Sequence, residues 1–244
     1  MRSKQELSEY LMHQFGGTLL SNTSITQKCK ALLNLGEWWE KLTSNEKDGL
    51  YAILPQDLRD MMERYWAIPK PSPSSFGCWK GVKGEGTFYF DNDYVPAEKN
   101  TRNGMSWCEL VEEYRKDFNL HCDGGIRYTC NRIDFSGYIV ASVKIRYEDC
   151  DLTRLRNRGG SDNTIQERAV LLFEQTLSNE IAKGGYSDFW EYKDGMCNGV
   201  FVRNTPLVIH EDYDGETLCL VPKYLHDNWK HYGGVSLVAA ILGL

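Results

Sequence analysis

Several things are scarce in this 244-residue chain, and each scarcity closes off a class of protein. There are eight cysteines, but no two of them form a Cys-x-x-Cys pair. Scattered thiols without short spacing argue against a zinc ribbon or a thioredoxin-like motif and fit reduced core residues, and a chain of this length needs no disulfide staples. No apolar run approaches the roughly 18 residues of a membrane span. The start, MRSKQELSEY, has no apolar stretch behind its basic residues, so no signal peptide is expected and no membrane partner is read. Repeats and low-complexity tracts are missing as well. Positive charge is in deficit, with 28 Lys and Arg against 34 Asp and Glu and a net charge of -6. That balance argues against whole-surface attraction to nucleic acid and leaves room only for a local basic groove. What is present is ordinary: 41% hydrophobic and 25% charged residues, the make-up of a globular protein and not of a disordered chain, collagen or a coiled coil.

The first 68 residues are helical in pattern. Ser3 and Glu6 form a capping box ahead of Leu7, Tyr10, Leu11 and Phe15, which keep a 3.6-residue period until Gly16 and Gly17, where the helix is expected to stop. Gly36 separates Leu32 and Leu33 from Trp38 and Trp39. Ser44 is placed to cap the run NEKDGLYAIL, and Pro55 falls where the first turn of a helix over QDLRDMMERYW accepts it. Residues 69–75, PKPSPSS, read as an extended linker. The expected organisation is therefore a helical unit over 1–68, the linker, and an α+β unit over 76–244. Opposite charges balance over residues 1–75, so the whole deficit lies in the second unit.

In that second unit GTFYF alternates as a strand, and Ser106 with Glu109 caps a helix carrying Leu110, Val111, Tyr114 and Phe118. The runs IRYTC and YIVASVKI read as two paired strands joined by NRIDFSG. Thr164 and Glu167 open a long helix with the stripe Ile165, Ala169, Leu172, Phe173, Leu177 and Ile181, ended by Lys183 and Gly184. The terminal VSLVAAILGL suits a buried strand or a segment docked on the core.

Histidine is the informative residue. It occurs five times, and three of the five, His210, His226 and His231, fall in the last 35 residues. Around them, PLVIHEDYDGETLCLVPKYLHDNWKHYGG reads as strand, tight turn at Asp214 and Gly215, returning strand, and a helix opened by Pro222 and stopped by Gly233 and Gly234. Such a unit brings His210 and its acidic neighbours against His226 and His231. Imidazoles and carboxylates together suit a divalent ion, Mg, Mn, Zn or Ni. Positions 226 and 231 are about 140° apart on an ideal helix, so both reach one ion only if His231 lies beyond the helix end. His13 and His121 are read as satisfied core groups, Asp134 as a turn cap, and Asp214 and Glu216 as solvated hairpin charges. Arg154, Arg156 and Arg158 form the densest basic stretch and are the candidate phosphate contacts.

These residues resemble a known family. Ile209-His210-Glu211-Asp212, Asp214-Gly215, Thr217-Leu218, Leu220-Val221-Pro222, Leu225-His226 and His231-Tyr232-Gly233-Gly234 look like the closing pattern of the toxin nucleases of the HNH and endonuclease VII superfamily. Upstream, GCWKGVKGEGTFYF at 77–90 and Gly125-Ile126-Arg127-Tyr128 with Ile133-Asp134-Phe135-Ser136 are similar to segments of the same domains. The likeness covers roughly residues 76–240. It implies a ββα-metal fold and a metal-dependent endonuclease that cuts DNA in bacterial competition. It also implies a cognate immunity protein as partner, delivery by another module, and action in the cytoplasm of the producing or target cell. For the site it implies His210 as general base, Glu211 and His226 as further catalytic residues, and Asp212, His226 and His231 as ligands of one divalent ion. This chain departs from the pattern at Ile209, where tryptophan is usual, and at Glu211 and Asp212, where many members carry histidines.

Overall fold

A computed structural model describes residues 3–68, 76–97, 104–129, 132–152, 207–229, 231 and 233–244, with isolated positions between 164 and 175. Arg154, Arg156 and Arg158, Glu167 and the expected helix end at Lys183 and Gly184 lie outside the described residues.

Five helices precede residue 69: α1 (Lys4–Leu11), α2 (Gly17–Leu20), α3 (Ile25–Glu40), α4 (Ser44–Tyr51) and α5 (Gln56–Trp66). Their starts are fixed locally. Complete capping boxes open α1 at Ser3, α3 at Ser24 and α4 at Thr43, each pairing the cap hydroxyl with the backbone three residues on. The cap of α4 is thus Thr43 and not Ser44, because Thr43 has Glu46 three residues later to close the box, and Ser44 becomes the first helical residue. Gly16 and Gly17 do not end the first helix. The chain widens into a single π-turn over Met12–Gly16 and continues as α2, with the Met12 side chain lying against Gly16. Gly36 likewise sits inside α3, where a β-carbon would meet the Tyr65 ring at 2.7 Å, so the glycine lets α5 approach.

The rest of the molecule is built on two small antiparallel sheets, which makes the fold α+β. The first is a meander of β1 (Gly77–Lys80), β2 (Thr87–Phe90), β3 (Gly125–Thr129) and β4 (Arg132–Asp134), with α6 (Trp107–Phe118) inserted between β2 and β3. Ser106 and Glu109 cap α6 as the sequence indicates. The second sheet has the order β5-β7-β6, from β5 (Ala141–Lys144), β6 (Leu207–Glu211) and β7 (Thr217–Pro222). The expected pairing of IRYTC with YIVASVKI does not occur. Arg127 pairs with Asp134 inside the short β3–β4 hairpin, while Val143 pairs with Leu218 in the other sheet. The turn at Phe135–Tyr138 redirects the chain, so the stretch read as a connection contains a strand of its own.

After β7 come α7 (Lys223–Asp227) and α8 (Gly234–Leu242). Gly233 and Gly234 open α8; they do not terminate α7, which has already ended at Asp227. The terminal apolar segment is this helix, packed against α3 and α5. Arg64 of α5 donates through Nε to the Ala240 carbonyl at 2.7 Å. Elsewhere Glu148 accepts from the Ile25 backbone at the start of α3 at 2.5 Å, and Thr26 donates to the Gly215 carbonyl at 3.1 Å. Buried residues run continuously from Leu7 through both sheets to Ile241. Among the described residues no helix is long and apolar enough to cross a membrane.

Candidate metal centre

The centre is carried by β6, β7 and the chain that follows. Val208, His210 and Asp212 alternate with Ile209 and Glu211 along β6 and its continuation, so His210 and Glu211 project from opposite faces. The turn to β7 is longer than a two-residue hairpin: Glu211 pairs with Leu218, and Asp212 donates from its backbone to Thr217 at 2.9 Å, which leaves four residues between them. Asp214 organises that turn by accepting from the backbones of Glu216 and Thr217 at 2.9 and 2.7 Å, and Gly215 supplies a φ of +72°. Glu216 pairs with Lys144 at 2.6 Å. The charges of the turn are therefore structural and half-buried, which corrects their reading as solvated.

His226 lies in α7, and His231 lies four residues past its end. This placement removes the angular conflict of a regular helix. The imidazoles of His210, His226 and His231 converge so that one nitrogen from each lies within 4.8 Å of the others, a set that can hold a metal ion. His231 Nε2 is 3.1 Å from His210 Nδ1. Their ring centroids are separated by 4.5 to 5.5 Å.

Two of the three rings have their orientation set from behind. His231 Nδ1 is 2.8 Å from the Trp229 carbonyl and His226 Nδ1 is 3.1 Å from an Asp227 carboxylate oxygen. Both oxygens only accept, so each Nδ1 is the protonated donor and each Nε2 carries the lone pair. This is the arrangement a metal-binding histidine requires. Trp229, whose carbonyl orients His231, is itself wedged among Phe88, Phe90, Trp107 and Tyr128. The first sheet and α6 thus hold the loop that positions the ligand. Phe135 packs against all three imidazoles, with centroids 4.7, 5.4 and 5.2 Å from those of His210, His226 and His231.

The electrostatics keep His210 and His231 neutral. Burial, with His231 and His226 as neighbours, holds His210 well below the usual histidine range, and it is only 3% exposed. Burial and the nearby His226 bring His231 down to about 4, against an opposing pull from the Trp229 carbonyl. Burial alone would raise Asp227, but hydrogen bonds from His226 and Lys223 outweigh it and lower the carboxyl. Cys219, opposite His210 in the sheet, is pushed up to about 12 by burial and remains a thiol at neutral pH. Unprotonated imidazole nitrogens are what a transition metal asks of a protein, and burial keeps His210 and His231 in that form at pH 7.

A cavity of about 340 Å³ opens beside His210, lined by residues that include Arg132, Asp134, Phe135, Ser136, Asp212 and Tyr213. Asp212 is outside the three-imidazole set and lines this cavity, where its Oδ1 accepts from the Tyr213 backbone at 2.6 Å and burial raises its carboxyl. Asp134 caps the turn that follows it, accepting from Ser136 N at 2.8 Å. Glu211 projects from the strand face opposite His210, with Oε2 near Gly233 and its charge felt by the buried Tyr147. His13 and His121 are both exposed, which corrects their reading as core groups. Three parts of the centre carry no sequence signal as plain as the histidines. Asp227 is hinted at by its adjacency to His226, but Phe135 and the carbonyl of Trp229 are found only in three dimensions.

No protein-family model, curated protein or solved structure matches the chain.

Proposed function

We propose that the chain is a metal-dependent endonuclease of the HNH type that hydrolyses phosphodiester bonds of DNA, with β6, the turn, β7 and α7 as its ββα-metal unit. The observation that carries this reading is the convergence of three imidazoles, two of them pre-oriented through Nδ1, on one strand-turn-strand-helix unit. His210, His226 and His231 would hold the ion. An all-imidazole donor set favours Zn or Ni over Mg, which prefers oxygen ligands. When bound, the ion supplies Lewis-acid stabilisation of the leaving 3'-oxygen.

The chain's own residues divide the remaining work. Phe135 excludes water from one side of the imidazoles and fixes their mutual angles. With His210 serving as a ligand, proton removal from the attacking water passes to a carboxylate, and Asp212 lines the cavity that reaches His210. The raised carboxyl of Asp212 suits a proton acceptor better than an ordinary aspartate would. The resemblance to competition toxins extends the proposal to a delivered toxin with an immunity partner.

The test is direct. Purified protein stripped with EDTA is given supercoiled plasmid with Zn, Ni, Mn or Mg, and in parallel a structured RNA. Nicking that EDTA and His210→Ala abolish supports the reading, and cleavage confined to RNA redirects it to a ribonuclease. Intact plasmid and RNA with all four ions, while the protein binds zinc, refutes it.

A further inference from the structure

Beside the imidazoles, the cavity wall holds one cationic side chain. Arg132 is the single Lys or Arg among the described residues that line it, and it faces a site otherwise furnished with neutral rings and the carboxylates Asp134 and Asp212. An anionic substrate entering there meets repulsion from both carboxylates, so a positive donor is needed to receive it. Arg132 stands on β4, the edge of the first sheet, and its Nη2 lies 2.5 Å from Oε1 of Glu37 on α3, 95 residues earlier. The Arg132 side chain is 20% exposed and that of Glu37 38%. The helix that carries Glu37 is itself held in place by the Glu148 cap at its start and by Thr26 on the Gly215 carbonyl.

From this juxtaposition we infer that Arg132 is the residue that receives a phosphate of the substrate in this cavity, and that Glu37 is a positioning residue which holds its guanidinium there. The inference rests on the phosphodiesterase reading and gives the amino-terminal helices a part in the site. A guanidinium has five donors in a planar fork, and its Nη2 contact to Glu37 fixes the plane in which a phosphate is met. A side chain with this much rotational freedom binds more weakly if it must be ordered at the moment of contact.

The experiment measures binding apart from cleavage. Fluorescence anisotropy follows a fluorescein-labelled 16-base-pair DNA duplex on EDTA-treated protein, where no cutting occurs, and the visible spectrum of added cobalt(II) reports separately that the histidine site is folded. Arg132→Ala is expected to weaken binding about tenfold or more, the scale of a charged hydrogen bond, and to reduce the slope of log K against log salt by about one. Glu37→Ala is expected to weaken binding several-fold, whereas Glu37→Gln, which keeps an acceptor for the guanidinium, stays within about twofold of the parent. In steady-state cleavage the same losses fall on KM and leave kcat near its parent value. The inference is overturned if Arg132→Ala binds as well as the parent, or if Glu37→Ala binds as well as or better than Glu37→Gln, with the cobalt spectrum intact. Parent protein that cleaves DNA while these variants are silent removes the inference alone. Parent protein that neither binds nor cleaves removes the nuclease reading with it.

Discussion

Acid should unfold the metal-free protein through its histidine cluster, and His231 allows the size to be worked out. A free imidazole takes up its proton near 6.5, whereas in the folded chain His231 does so only at about 4. Between those values the unfolded chain binds the extra proton and the folded chain does not. The stability tied to this ring is therefore complete above pH 6.5, drains away as pH falls, and is fully lost below 4. At pH 5 the difference amounts to about 2 kcal/mol for one ring of this kind. His210, shifted in the same direction by burial and by the same neighbours, adds to it. Urea unfolding in EDTA at pH 7.5 and 5.0 measures the loss, and repeating it on His231→Gln removes the acid sensitivity of other groups from the comparison. The parent should lose about 2 kcal/mol more than the variant over this interval. Equal losses in the two proteins would refute the claim that these rings are stored neutral. Saturating zinc should raise the stability at both pH values without closing the gap, because the ion keeps the rings unprotonated in the folded chain while the unfolded chain still takes up its protons.

Asp227→Asn removes the carboxylate that receives the His226 Nδ1 proton and pairs with Lys223 at 2.9 Å; zinc affinity should fall about 10- to 100-fold in competition with a chromophoric chelator, while the fold survives. Gly215→Ala places a β-carbon 2.6 Å from the Cys29 sulfur on a backbone at φ +72° and should cost about 2 to 4 kcal/mol in urea unfolding.

The sequence revealed the histidine cluster more readily than the geometry around it. The three C-terminal histidines are visible because histidine is rare here and the turn and proline signals between them are local. Helix starts at Ser3 and Ser106 are readable for the same reason, since a capping box is a contact between residues three apart. Ser24 with Gln27 and Thr43 with Glu46 carry the same signature. The glycines mislead, because their role is decided by partners distant in sequence: Gly36 makes room for Tyr65, and Gly234 lies so close to the Asp212 carbonyl that a β-carbon would sit 2.1 Å from it. Strand partners are equally non-local. ASVK and IRYT are neighbours in the chain but join different sheets, because β7 offers ASVK a buried apolar partner in Leu218 and Leu220. Asp212 follows from alternation along β6, yet whether it binds the ion or lines the cavity depends on where α7 ends, which a residue pattern does not specify.

The close approach of Gly233 and Gly234 to the backbone of Glu211 and Asp212 has a dynamic consequence. It sets the root of α8 directly on the strand end that presents His210, with His231 just before it, while the body of α8 is clamped by α3 and α5. Peeling α8 from those helices would drag His231 from its partners, so loosening of the last helix and escape of an ion become one cooperative opening. Hydrogen exchange should register this as slowing of the α8 amides when zinc is added, at positions that touch no ligand.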